Sequence, residues 1–195
     1  YISFGNKDRN IDYLIICDKS YNNIIEKFKL LFNIDIKIWN IEIDTTFEAC
    51  CSRLKIFDYS EINKYNKILY LDIDILILEN ISHIFNLDIE NKIYAMLESS
   101  TSANNNHWGG QFFNVNPNIP AFSSCILLFN NCIEMKNLFS EINKHVLSYI
   151  EEGLSIPEGN DQGFIVYHSI SKNLYNNTLL NEYVTNADDN ILTDK

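Results

Sequence analysis

Basic charge is scarce in this sequence. Fifteen Lys and Arg stand against 26 Asp and Glu among 195 residues, a formal net charge of −11 with a pI near 4.7. That balance excludes a general nucleic-acid binder, which presents a basic face. It also disfavours docking on anionic membrane by charge alone. Apart from Asp72 and Asp74, the acidity reads as solvated surface. No apolar run approaches the ~20 residues of a membrane span, and no signal peptide is recognisable. The five cysteines, Cys17, Cys50, Cys51, Cys125 and Cys132, are odd in number and lack CxxC spacing. They therefore give neither a disulfide framework nor a zinc site. Most sit in apolar runs, as small core residues do, and a reducing compartment, the cytoplasm, suits them best. Internal repeats, linkers and a second domain are missing as well.

What is there is enough for one domain with a sizeable core, since 46% of the residues are hydrophobic. Asp12 to Cys17 is an apolar run of strand length. Ser20 can cap a helix carrying the stripe Ile24, Ile25, Phe28, Leu31 and Phe32. Ile34, Ile36 and Ile38 then alternate with polar residues as a second strand, so a parallel pair joined by a crossover is expected. A helix over Phe47 to Phe57 carries Arg53 and Lys55, which are either surface charge or cations facing a diphosphate. Lys92 to Leu97 reads as a strand. The polar stretch Ser99 to Pro120 is a long loop of the kind that is functional or disordered. Within it, His107 and Trp108 can pack on a sugar ring, with a plain surface loop as the alternative. Phe122 to Phe129 is a buried strand. Met135 to Tyr149 marks an amphipathic helix, and Glu158 to Gly163 is a turn into a helix over Phe164 to Ser169. Asp161 and Gln162 are candidate caps of that last helix. Asn173 to Lys195 carries little pattern.

The segment from Lys67 to Phe85, KILYLDIDILILENISHIF, stands out. Read as a strand, it puts Leu69, Leu71, Ile73, Ile75 and Ile77 on one face. Ile68, Tyr70, Asp72, Asp74 and Leu76 fall on the other. Two like charges on one face of so apolar a strand are costly unless compensated. Mg²⁺ or Mn²⁺ carrying a phosphate would compensate them, because hard cations take carboxylate oxygens and leave positions for substrate phosphates. An edge where both aspartates reach water is the alternative. A helix start at Asn80 to Phe85, directly after the strand, favours the metal.

Four segments in this order resemble glycosyltransferase family 8, the retaining, glycogenin-like enzymes of the GT-A fold. They are SRLKIF (Ser52 to Phe57), YNKILYLDIDILILENISHIF (Tyr65 to Phe85), FSSCILLFN (Phe122 to Asn130) and EGNDQG (Glu158 to Gly163). Ser52 to Phe57 resembles the family's basic helix, and Tyr65 to Phe85 its metal-binding DxD segment. Phe122 to Asn130 resembles its "FNSGvllfN", and Glu158 to Gly163 its "GGDQG". The resemblance implies an α/β fold with a GT-A, Rossmann-like, mixed and mostly parallel sheet flanked by helices. It implies a single glycosyltransferase domain over 1–195 that lacks its first strand and helix and is incomplete at both ends. It also implies a UDP-sugar donor (UDP-glucose, UDP-galactose or UDP-N-acetylglucosamine) and Mn²⁺ held by Asp72 and Asp74. Arg53, Ser124 and Asp72 would bind the donor, with Asp161 and Gln162 at the sugar's anomeric face. The acceptor would be a hydroxyl of a glycan, protein or small molecule, and a homodimer is a candidate assembly. Ser123 and Cys125 depart from the usual Asn and Gly of "FNSG", and no C-terminal His supplies a third metal ligand. These departures leave a non-catalytic, nucleotide-sugar- or protein-binding relative as the alternative. A nucleotidyltransferase would need a Gly-rich basic loop near its start, which this chain lacks.

Overall fold

A computed structural model describes residues 11–103, 106–115 and 117–185. The first unit is β1 (Tyr13–Cys17), α1 (Asn22–Phe32) and β2 (Ile36–Asn40), with the two strands parallel and in register from Tyr13 opposite Ile36 to Cys17 opposite Asn40. This is the expected crossover unit. Its entry differs in detail. Asp18, not Ser20, is the capping side chain, accepting from the Ser20 amide at 2.8 Å and starting a short 3₁₀ turn that leads into α1. Helix α1 ends on Asn33 in the left-handed region, φ 51°, a conformation that Asn tolerates better than most residues. Of the apolar stripe on α1 only Ile25 is buried, while Ile24, Phe28, Leu31 and Phe32 stay exposed.

The second sheet has strand order β3 (Lys67–Leu71), β5 (Pro120–Asn130), β4 (Ile93–Ser100) and β6 (Tyr175–Asn176). Strand β5 runs antiparallel to both neighbours, and β6 runs parallel to β4, so the sheet is mixed. Bulges interrupt the β4–β5 ladder between Ala95 and Met96 and between Leu97 and Ser100. Central β5 is covered on both faces, which explains the apolar run from Cys125 to Phe129. Phe122, Leu127 and Phe129 face one cluster, with Met135, Leu138, Phe139, Ile142 and Val146 of α3 (Ile133–Glu151) and Phe164, Ile165 and Val166 of α4 (Gln162–Ser171). Ile126 and Leu128 face the other, against Ile84, Ile89 and Leu180. The alternation predicted for β3 holds to Leu71: Ile68 and Tyr70 pack on the first cluster, Leu69 and Leu71 on the second. Beyond Leu71 the strand expected to run to Ile77 does not continue. The Asp72 amide makes a last bond to the Cys125 carbonyl at 2.8 Å, and Ile75 N bonds back to the Asp72 carbonyl at 3.3 Å, closing a turn. Ile73 is fully exposed there, and Leu76 and Leu78 are exposed as well.

The helix expected over Phe47 to Phe57 is α2 (Thr46–Cys51) followed by a 3₁₀ helix, Ser52–Asp58. A capping box starts it: Thr45 Oγ1 accepts from Glu48 N at 3.2 Å and Glu48 Oε2 accepts from Thr45 N at 2.9 Å. Polar contacts around Lys37 join the β1–β2 pair to the chain entering β3. Lys37 Nζ lies 3.0 Å from Asp12, 2.9 Å from Glu61 and 2.8 Å from the Tyr65 hydroxyl. No helix among the described residues is long and apolar enough to cross a membrane.

Candidate active site

Where β3 ends, four segments far apart in the sequence meet around one side chain, Arg53. The 3₁₀ helix Ser52–Asp58 carries it inward, and only 5% of the residue remains exposed. Its Nε and Nη2 donate to the two carboxylate oxygens of Asp161, each at 2.7 Å. Its Nη1 donates to the Ser124 carbonyl at 2.6 Å and, more loosely, to Asp72 Oδ1 at 3.3 Å. The guanidinium also lies 5.0 Å from the centre of the Tyr70 ring, within cation–π range. This is the planar bidentate geometry for which Arg is suited. Burial works against the Arg53 charge, and the Asp161 carboxylate more than offsets it, so the group titrates above its ordinary value.

Asp161 is fully buried and sits at the N-cap position, just before α4, with helical backbone angles. The expectation that it caps α4 fails, because both of its oxygens turn to Arg53. Gln162 does not cap either: its Oε1 accepts from Ser124 N at 2.9 Å and from Ser124 Oγ at 3.1 Å. Thus the start of α4 is stitched to β5 through Ser124 and to the 3₁₀ helix through Arg53. Two close backbone approaches hold the same region from the other side. Gly109, at φ 71°, lies where a Cβ would come within 2.2 Å of the Gly163 carbonyl oxygen, and a Cβ on Gly159 would meet His107 Cδ2 at 2.9 Å.

These contacts line an open cavity of about 220 Å³, with Arg53, Asp72, Ser124, Asp161 and Gln162 all in its wall. Of the residues singled out in the sequence, five are therefore brought together and one is not. Asp74 is exposed in the turn after β3, outside the cavity wall. Asp72 is partly buried and accepts from the Tyr70 hydroxyl as well as Arg53. Burial pushes its carboxyl above the ordinary range, Arg53 and Tyr70 pull it back, and the neighbouring Asp74 charge pushes it up again. Oxygen donors of this kind fit a hard divalent cation, and a cation would relieve the cost of ionising Asp72 beside Asp74. Among the described residues no cluster of three or more His, Cys, Asp or Glu is placed to hold a metal.

Four wall residues are given no individual role by the sequence: Cys50, and Glu158, Gly159 and Asn160 of the EGNDQG segment. Cys50 does lie one helical turn before Arg53, a spacing that puts both on one face. Its thiol is pushed up by burial, so it is protonated at neutral pH and is no ready nucleophile. Tyr70, which the sequence marks only as lying on the strand face of Asp72, joins the site through its contacts with Asp72 and Arg53. Trp108 is buried in the larger core cluster rather than presented to a sugar, whereas His107 does border the cavity. At the "FNSG"-like positions, Ser123 Oγ and Cys125 Sγ touch at 2.9 Å.

Glycosyl transferase family 8 matches residues 45–152 of the chain, a span that includes Arg53, Asp72, Asp74 and Ser124. No curated protein matches it. Among solved structures, the glycosyltransferase GlyE of Streptococcus pneumoniae TIGR4 is similar, with a TM-score of 0.51 at 20% sequence identity over 84% of this chain. The likeness supports the GT-A architecture. The chain spans 36% of the length of that protein.

Proposed function

From the fact that this chain belongs to glycosyl transferase family 8, we propose that it moves a hexose from a UDP-sugar to a hydroxyl acceptor, with retention of configuration and with a divalent cation, Mn²⁺. The observation that carries the reading is the convergence of Arg53, Asp72, Ser124, Asp161 and Gln162 on one small cavity. At about 220 Å³ it lies below the roughly 300–1,000 Å³ of pockets for drug-sized ligands. It suits one sugar ring better than a whole nucleotide, so the diphosphate would lie at its mouth.

Asp72 and Asp74 would hold the cation through carboxylate oxygens. When bound, it would offset the negative charge that builds on the departing diphosphate. The protein's own side chains do the rest. Arg53 adds a fixed positive charge beside Asp72, at the place where the sugar–phosphate bond weakens. Because Arg53 is locked to Asp161 and to the Ser124 carbonyl, that charge needs no reorganisation during the reaction. Asp161 and Gln162 present a carboxylate and an amide to the sugar as it gains oxocarbenium character. The Ser124 hydroxyl is held by Gln162 at the same wall.

A second reading, binding without transfer, is favoured by one observation. Arg53 has four of its five N–H donors taken up by Asp161, Ser124 and Asp72, so its charge is largely satisfied without any phosphate. Release of UDP separates the two readings. On the first, at least one of UDP-glucose, UDP-galactose and UDP-N-acetylglucosamine yields UDP in the presence of Mn²⁺. On the second, a UDP-sugar binds and no UDP appears. UDP with Mn²⁺ at about a hundred times Kd stabilises by about 2.7 kcal/mol, which for a chain of this size raises Tm by roughly 5–10 °C. Asp74→Asn abolishes the Mn²⁺-dependent part of that rise. No shift with UDP or with any of the three UDP-sugars would refute both readings.

A further inference from the structure

The turn from Glu158 to Gln162 meets the rest of the cavity at two ends. At one end, Asp161 and Gln162 are bound to Arg53 and Ser124, next to Asp72. At the other end, Glu158 and Gly159 meet His107, delivered by the connection between β4 and β5. Gly159 makes this contact possible, since a Cβ there would stand 3.0 Å from the His107 Cα as well as 2.9 Å from its ring. His107 is thus placed by backbone packing and not by a hydrogen bond of its ring. Its Nδ1 is enclosed, yet it has no hydrogen-bond partner among the described residues. Glu158 Oε2 is the near acceptor, at 3.7 Å, which is beyond hydrogen-bond reach. Enclosed polar atoms are nearly always paired in folded proteins, and an exception calls for a missing partner. Both side chains border the cavity.

We infer that His107 and Glu158 together bind one ring hydroxyl of the transferred sugar, at the end of the ring remote from the diphosphate. The inference rests on the nucleotide-sugar reading above. A hydroxyl is the group that satisfies both residues: it accepts from an Nδ1–H and donates to the carboxylate, standing at the apex of a triangle whose base is the 3.7 Å separation. A cation would suit Glu158 but not an imidazole N–H, and an anion would suit the imidazole but not Glu158. The Glu158 side chain is 74% exposed, so it can shift to admit a hydroxyl with no repacking of the core. With the reacting carbon held at the Asp72–Asp161 end, the far hydroxyls of a single ring point to the His107 end. The pair determines which sugar is accepted and takes no part in breaking the bond.

The test is a calorimetric titration of the full chain with UDP, UDP-glucose and UDP-galactose, each with Mn²⁺. The wild type binds at least one UDP-hexose more tightly than UDP. His107→Ala removes about tenfold of that preference and leaves the affinity for UDP unchanged. His107→Asn keeps most of it, because an amide can occupy the place of Nδ1. Glu158→Gln, at an exposed position that does not endanger folding, loses several-fold. A His107 that merely pins the turn would lower Tm and leave the ratio of UDP-hexose to UDP affinity untouched, and that result would overturn the inference. So would a wild type that binds UDP but neither sugar more tightly, an outcome that leaves the nucleotide site standing. A wild type that binds none of the three probes defeats the nucleotide-sugar reading, and this inference with it.

Discussion

Replacing Asp161 by Asn tests the energetic centre of the site with the smallest possible change of shape. The Arg53 and Asp161 side chains are 6% and 0% exposed, and two 2.7 Å bonds join them. Asp161→Asn removes the negative charge and turns one of the two acceptors into an amide N–H that faces a guanidinium N–H. Breaking a buried pair from one side costs about 3–5 kcal/mol, because the remaining charge stays buried without its partner. Arg53 keeps the Ser124 carbonyl at 2.6 Å and the longer contact to Asp72, which places the loss near 3 kcal/mol, toward the low end of that range. At roughly 2–4 °C per kcal/mol for a chain of this length, Tm falls by about 6–12 °C. Thermal and urea unfolding followed by far-UV circular dichroism measure the change. The double variant Arg53→Met with Asp161→Leu removes both charges and loses less than the sum of the two single changes, since neither charge is left stranded. It still carries the cost of an unpaired Ser124 carbonyl, about 1–3 kcal/mol. A cooperative unfolding of Asp161→Asn within about 2 °C of wild type would refute the reasoning. So would a double variant as unstable as the two singles added together.

Two further perturbations probe how α4 and the turn before it are held. His145 Nδ1 and His168 Nε2 lie 3.0 Å apart, joining α3 to α4. Burial pushes both rings down, and His168 falls to about 4 through burial and then the neighbouring His145. A folded pKa below the unfolded value of about 6.5 means that this stability is fully present above pH ~6.5 and is lost as pH falls toward about 4. His168 is not fully enclosed, so the loss is discounted for solvent to about 1–2 kcal/mol. It is read from urea midpoints at successive pH values, and His168→Gln flattens the profile. The glycines make a matched pair. Gly109→Ala puts a Cβ within 2.2 Å of the Gly163 oxygen at φ 71°, whereas Gly153→Ala, at φ 70°, meets nothing within 4 Å. Gly109→Ala costs about 2–5 kcal/mol, from the left-handed backbone plus overpacking. Gly153→Ala costs about 1–2 kcal/mol, from the backbone alone. Equal losses in a denaturant titration would show that the approach of Gly109 to Gly163 carries no energy.

Periodicity and composition by themselves determined the parallel crossover unit, the doubly covered β5, the amphipathic α3 and the apolar faces of β3 as far as Leu71. Each of these depends on a residue's own neighbours along the chain. Asp72 and Asp74 are legible because carboxylates within an apolar run declare themselves locally, and Arg53 reads as surface charge or a cation facing a diphosphate, whereas Ser124, Asp161 and Gln162 gain a role at the donor only from the segments that resemble glycosyltransferase family 8. The tertiary structure alone decided what those residues do. Strand β3 stops at Leu71 because its ladder with β5 stops opposite Ile126, and that leaves Asp72 at the cavity and Asp74 in a turn beside it. Arg53 and Asp161 are 108 positions apart, and no local pattern can announce that two such charges are each other's partners. The same holds for Trp108, whose place in the core depends on what packs over it. Side-chain alternation is set by backbone geometry at each residue, whereas the pairing of buried charges is set by how the chain closes on itself.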